Sequence, residues 1–288
     1  MRESSTEDNW DLVIQRKTGR FDLNFNEVWS YRTLLEMYIK REIVTAYKQT
    51  ILGPLWFFIQ PIFTTIVFTF VFGSLAGIPT DGLPPVLFYL AGITLWNYFS
   101  DSLTKTSDTF IANQGIFGKV YFPRLVVPLS VTITGLIKMG IQFGVFIIVY
   151  IYYMSIGASI APNKYAFLLP VLILILASLS LGFGVIISSM TTKYRDLKFL
   201  MSFAIQLLMY GTPIIYPLSI MKENYKEYLW VIQANPLTAV IETFKYGFLG
   251  HGTFTWFSLG YSAMFSGIIL IIGIYIFNKV ERSFMDVI

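Results

Sequence analysis

The sequence predicts an all-α membrane protein: six transmembrane helices, an N-terminal amphipathic interfacial helix, and a re-entrant helix pair between spans five and six. Three observations carry this. Apolar stretches of near bilayer-crossing length fill most of the chain after Ile51, only 13% of its 288 residues are charged, and Lys and Arg collect in alternate connections. The stretches run Leu55–Phe72, Val86–Leu103, Leu129–Tyr153, Tyr165–Met190, Phe199–Tyr216 and Trp256–Phe277. At about 1.5 Å rise per residue the shortest covers roughly 27 Å, close to the hydrocarbon thickness. The second has the weakest signal, because Asn97, Ser100 and Asp101 interrupt it. With 55% apolar residues, six helices and their connections leave no room for a second soluble domain. The chain divides into an N-terminal extension (residues 1–27), an interfacial helix (28–54) and a six-helix transmembrane domain (55–288).

Taken in order, Trp10 to Phe25 alternate weakly around Thr18-Gly19, the pattern of a short hairpin. From Val28 to Thr50, Tyr31, Leu35, Tyr38, Ile39, Ile43, Ala46 and Tyr47 recur at helical spacing, opposite Arg32, Glu36 and Lys40. That is an amphipathic helix in the headgroup layer, which serves equally as an anchor or as a movable gate. Gly53-Pro54 breaks it before the first span. The fifth connection, Pro217 to Thr255, is too long and too aromatic for a simple turn. Within it, Tyr225 to Ala234 forms one short helix. Asn235-Pro236 caps a second that Gly250 stops, with Leu237, Val240, Ile241, Phe244 and Phe248 on one face. A re-entrant pair and a lipid-exposed surface hairpin both satisfy this pattern.

Basic residues set the orientation. Arg32, Lys40, Arg41 and Lys48 precede the first span, Lys105, Lys119 and Arg124 follow the second, Lys193, Arg195 and Lys198 follow the fourth, and Lys279 and Arg282 follow the last. The first connection has none and the third only Lys164, while Lys222, Lys226 and Lys245 of the fifth are balanced by Glu223, Glu227 and Glu242. Both termini are therefore expected in the cytoplasm. The polar start of the chain does not resemble a cleavable signal. The net charge of +4 includes no basic stripe clear of the spans, so nucleic acid is not an expected partner.

The spans lack the chemistry of an ion-coupled transporter, because they hold almost no acidic or histidine side chains. Lys138 is the one charge deep in a span, and a snorkelling side chain is preferred over a substrate ligand. His251, between glycines, reads as a solvated turn residue. Gly115-Ile116-Phe117-Gly118-Lys119 lacks the spacing and the Ser or Thr of a phosphate-binding loop, so this chain alone does not hydrolyse ATP. Gly182 and Gly184, and Gly140 with Gly144, read as close helix packing. No paired carboxylates, metal ligands or activated nucleophile support an enzyme, and zero cysteines remove thiol chemistry.

Aromatic surface is abundant: 26 Phe, 18 Tyr and 6 Trp. Trp56, Phe63 and Phe70 fall seven apart on the first span; Tyr89, Trp96 and Phe99 share a face of the second; Phe203, Gln206 and Tyr210 share one of the fifth. Such faces can stack on sugar rings, forming a glycan path, or they can be ordinary helix packing, which is the commoner role of any single aromatic.

Tyr47-Lys48-Gln49-Thr50-Ile51-Leu52-Gly53-Pro54-Leu55-Trp56, running to Gln60-Pro61, resembles the permease subunit of bacterial polysaccharide-exporting ABC transporters. These export O-antigen, capsule and teichoic acid. Lys119-Val120-Tyr121-Phe122-Pro123-Arg124 with Pro128-Leu129-Ser130, Tyr194-Arg195-Asp196-Leu197, Tyr210 to Pro217 followed by Asn235-Pro236, and Val280 to Phe284 extend the resemblance to the end of the chain. It implies a homodimer in the bacterial inner membrane, docked on two copies of a cytoplasmic ATPase that binds ATP and Mg, with no cofactor in this chain. It implies that a coupling helix, Ser107 to Phe117, meets the ATPase through Ser107, Asp108, Phe110, Asn113 and Phe117, with Lys119, Phe122, Pro123 and Arg124 in the following turn. The helix bearing Tyr38, Arg41, Tyr47 and Lys48 becomes a cytoplasmic gate, and Tyr216, Pro217, Asn235 and Pro236 an outer one. Gly118 and Leu125 depart from the family pattern, which touches the detail of the ATPase contact. The expected cargo is a lipid-linked glycan; the rivals are an ABC exporter of drugs or free lipids, and a channel or membrane-embedded glycan enzyme.

Overall fold

The computed structural model describes residues 25–284, Gln49 excepted. The expected hairpin at Trp10 to Phe25 and most of the N-terminal extension lie outside the described residues. Two helices, α1 (Phe25–Ser30) and α2 (Arg32–Tyr47), precede a one-turn 3-10 segment at Gly53–Leu55. Then follow α3 (Trp56–Phe68), a π-helical end at Thr69–Leu75, α4 (Pro85–Ser107), α5 (Thr109–Ala112), α6 (Gln114–Phe117), α7 (Val126–Ser155) and α8 (Leu169–Thr191). The chain closes with α9 (Leu197–Tyr210), α10 (Leu218–Asn224), α11 (Leu229–Ala234), α12 (Pro236–Leu249) and α13 (Trp256–Phe284).

Among the described residues, four helical stretches are long and apolar enough to cross a bilayer: Gly53–Leu75, Val126–Ser155, Lys164–Thr191 and Trp256–Glu281. The other two expected spans differ from the sequence reading. The second is a continuous 23-residue helix, α4, but Asn97, Ser100, Asp101, Ser102 and Thr104 make it too polar to stand against lipid alone. The fifth stops at Tyr210 after 14 residues, about 21 Å of helix, because Gly211 and Pro213 redirect the chain into a turn. In that turn Thr212, Pro213, Ile214 and Ile215 are buried.

Helix α4 is the centre of the bundle. It packs against α3, α7, α8, α9 and α12, and every residue from Leu87 to Trp96 is buried. Close approach is set by small residues. A Cβ on Gly182 would stand 2.9 Å from the α13 backbone, and one on Gly184 would meet Thr106 of α4 at 2.5 Å, so α8 is clamped between its neighbours through two glycines. Gly140 and Gly144 do not share this role, since nothing lies within 4 Å of either position. Their face of α7 is open.

Two apolar clusters hold the ends. The larger joins α4, α7, α8 and α12 through residues such as Phe88, Phe99, Phe146, Leu179 and Phe244. The smaller joins Val28 and Tyr38 to Phe110, Phe117, Phe122, Val185 and Phe277. It gathers the N-terminal helices, the α4–α7 connection and the C-terminal helix at one end. At the opposite end, Asn163 Nδ2 donates to the Tyr246 carbonyl at 2.8 Å, and Ser219 Oγ donates to Asp81 at 2.6 Å.

Candidate transport path and coupling surface

The three aromatic faces part company once the helices are packed. Trp56, Phe63 and Phe70 are 47, 63 and 58% exposed, whereas Phe68 and Phe72 of the same span pack against the core, Phe68 edge-on to Tyr89 at 6.1 Å. Phe203, Gln206 and Tyr210 are also exposed, on a helix with no buried residue. Tyr89, Trp96 and Phe99 are instead 0, 6 and 2% exposed, sealed inside the bundle. The face expected on the second span is therefore corrected: those rings pack the core, with Trp96 on Phe99 at 5.8 Å and Tyr89 edge-on to Phe88 at 5.4 Å. The helices bearing the two open faces, α3 and α9, both pack on α4.

The segment after α4 is not one helix. α4 continues through Ser107, and α5 and α6 are single turns broken at Asn113. Phe110, Asn113 and Phe117 point inward: Phe110 stacks on Phe277 at 4.6 Å, Phe117 meets Phe110 edge-on at 5.9 Å, and Asn113 Nδ2 donates to the Thr109 carbonyl at 2.9 Å. Ser107 is buried and donates to Thr104. Phe122, Pro123 and Arg124 are buried too. The Arg124 guanidinium donates to the Glu281 carbonyl at 3.1 Å, while its backbone N–H donates to the Glu281 carboxylate at 3.2 Å. These residues fasten the segment to α13. Of the residues expected to meet a partner, Lys119 is on the open surface and Asp108 is half-buried.

What the segment does present is Ile111, Ile116, Val120 and Tyr121, all exposed, beside Gln114 and Lys119. The sequence reading missed this apolar face. The signal was the three-and-four spacing of Phe110, Asn113 and Phe117, which assigns Ile111 and Ile116 to the opposite side.

The N-terminal helix α2 lies along α7. Tyr38 is buried against Phe122 at 6.1 Å, and the Arg41 guanidinium lies over the Tyr38 ring at 4.4 Å. Tyr47 ends the helix and Lys48 follows it, exposed. Glu42, on the packed side, faces a small cleft lined by Asn97, Asp101 and Lys105 of α4 and Lys138 and Gln142 of α7. Lys138 is thus not a lone snorkelling charge. Its ammonium lies 5.4 Å from the Phe57 ring centre and shares the cleft with two carboxylates and a second lysine.

At the far end, Asn235 is hydrogen-bonded to the turn that follows α9. Asn235 caps α12 by accepting from the Leu237 N–H at 3.0 Å, and its Nδ2 donates to the Gly211 carbonyl at 3.1 Å and to Thr212 Oγ1 at 2.9 Å. Tyr216 donates to the Tyr210 carbonyl at 3.0 Å. Pro217 is buried at the start of α10, Pro236 opens α12, and Gly250 ends it at φ +73°. Glu242 and Lys245, which the sequence reading counted only as balancing charges of the fifth connection, are both buried in α12. Lys245 Nζ donates to the Pro213 carbonyl at 2.7 Å and sits 3.5 Å from the Phe88 ring centre, while Glu242 accepts from the Thr253 N–H at 3.0 Å.

A known family model, ABC-2 type transporter, matches residues 33–249 of this chain. The chain belongs to the ABC-2 type transporter family. It is the membrane component, a multi-pass permease, and not the catalytic ATPase; membership implies an ATPase partner. The permease is 28% identical over 256 residues to an O-antigen export system permease protein of Klebsiella pneumoniae, covering 88% of this chain and 94% of that one. Similarity to an O-antigen export system permease protein of Myxococcus xanthus is 25% over 78% of this chain and 84% of the relative. A polysialic acid transport protein of Escherichia coli is 25% identical over 88% of this chain and 96% of its own length.

Proposed function

We propose that two copies of this permease form the membrane channel of an exporter that moves a lipid-linked polysaccharide across the bacterial inner membrane, driven by two copies of a separate ATPase that binds ATP and Mg. The observation that carries the reading is the pair of exposed aromatic faces, Trp56 and Phe63 on α3 with Phe70 in its π-helical continuation, and Phe203-Gln206-Tyr210 on α9, flanking a helix whose own aromatics are buried. Rings that stay open when the chain packs are free to stack on sugar planes, and a row of them lets a polymer slide without a single tight site. The names of the relatives favour polysaccharide over drugs or free lipids as cargo.

Six crossings remain the path that best accommodates the contacts. The Asp108–Lys198 and Arg124–Glu281 pairs gather the second and fourth connections and the C-terminus at one end, whereas Asp81, Asn163, Ser219 and Tyr246 meet at the other. The basic residues mark the first end as cytoplasmic, with both termini there. On this reading Ile111, Ile116, Val120 and Tyr121 meet the ATPase, α2 gates the inner end, and the α11–α12 pair is re-entrant and closes the outer end, its polar groups covered by protein.

Replacing Trp56, Phe63 and Phe70 together by Ala tests the path. Surface glycan in cells should fall while the permease–ATPase complex still assembles; unaltered surface glycan rejects α3 as part of the path.

A further inference from the structure

The connecting segment Asp108–Phe117 is tied to the bundle in two unlike ways. Toward α8 and α13 the ties are buried: the Phe110 N–H donates to Ser188 Oγ at 3.2 Å, Thr191 Oγ1 donates to the Ser107 carbonyl at 3.4 Å, and Phe110 stacks on Phe277. Toward α9 there is an ion pair in which Lys198 Nζ stands 2.7 Å from Asp108 Oδ2, the side chains 51 and 23% exposed. Helix α9 buries none of its residues. It rests on the core along one side only, through half-buried Met201, Ile205, Leu208 and Met209, so a modest electrostatic contact at its first turn has leverage that it would lack on a helix clamped all round.

We propose that Lys198 and Asp108 form a strut that makes α9 follow the connecting segment, so that thrust delivered to the segment moves the open aromatic face of α9. This rests on the exporter reading for what the thrust is and what the face carries. Asp108 is suited to the role because its backbone is fixed at the junction of two helices, its carbonyl accepting from the Ala112 N–H at 2.8 Å. One carboxylate oxygen is buried and the other is turned to Lys198. Lys198 sits in the first turn of α9, where a rigid pull acts along the helix. An exposed pair contributes little to folding, so the strut is a positioning device and its loss shows in transport before it shows in stability.

The test uses the full-length permease with its ATPase, taking advantage of a chain with no cysteines. Spin labels on Gly115→Cys and Ala204→Cys report the distance from the connecting segment to α9. In Lys198→Asp that distance distribution should broaden and surface glycan should drop about fivefold, with the ATPase still co-purifying. The exchange Lys198→Asp with Asp108→Lys should narrow the distribution and recover export. Lys198→Gln, which removes the charge and leaves a polar side chain, should broaden it as well and stands in if the reversal does not fold. A distribution unchanged in Lys198→Asp and Lys198→Gln, or an exchange that recovers neither readout, overturns the strut. Should the unsubstituted chain export no glycan, the exporter reading fails, and the label distances by themselves decide the strut.

Discussion

Helices α3 and α4 are neighbours with similar aromatic patterns and opposite fates. The 23-residue stretch that contains α3 is strongly apolar, at a mean hydropathy of 1.9, yet only 11% of its apolar window is buried within the chain. α4 carries Asn97, Ser100, Asp101 and Ser102, and is buried from Leu87 to Trp96, with Asn97 and Ser100 half-buried and Asp101 at the edge of a cleft. A water-soluble protein would reverse the two. In a bilayer the lipid is as apolar as Leu, so no hydrophobic force draws α3 inward, while a helix with amide and hydroxyl groups gains by packing against protein or a polar cleft. Aromatics recur at helical spacing in both; only the neighbours distinguish packing from an open face.

The contrast breaks most sharply under truncation. Phe99→Ala on α4 should destabilise the detergent-solubilised permease by about 2–3 kcal/mol, read by thermal melting, because the cavity term survives although the transfer term is small in an apolar medium. A melting point unchanged by Phe99→Ala would mean that the ring is not packed in the core. Next in size is the glycine comparison. Gly182→Ala, whose Cβ would press on the α13 backbone at 2.9 Å, should cost about 1–3 kcal/mol by overpacking. Gly140→Ala, in open space, should be neutral or stabilise by up to about 1 kcal/mol through helix propensity. Equal effects at the two sites would erase the distinction between a clamped α8 and an open face of α7. The smallest effect on stability belongs to α3: Phe63→Ala should shift it by no more than about 0.5 kcal/mol, and an isolated drop in export at that stability would assign the ring to traffic instead of packing.

Much of the outer end was legible. Asn235-Pro236 and Gly250 marked the start and stop of α12; of its expected apolar face Leu237, Val240, Ile241 and Phe244 are buried and Phe248 half-buried, but the opposite side, with Glu242 and Lys245, is buried as well. Caps and periodicity are local, so a single segment contains all the information. The segment between α4 and α7 was legible only in part. Phe110 and Phe117 were read as partner-facing when they are the rings that anchor it. Burial depends on what arrives from α8 and α13, more than seventy residues further along.

The amino acids by themselves determined that this is a helical membrane protein and where α12 starts and stops. Those properties follow from hydropathy and from Asn, Pro and Gly chemistry, all of which act over a few residues. Only the tertiary structure decided which aromatics are open, that Lys138 has company in its cleft, that Lys245 is a buried clamp on Pro213, and that Lys198 reaches Asp108. Such pairings join residues tens of positions apart, and a side chain acquires its role from the surface that packing leaves around it.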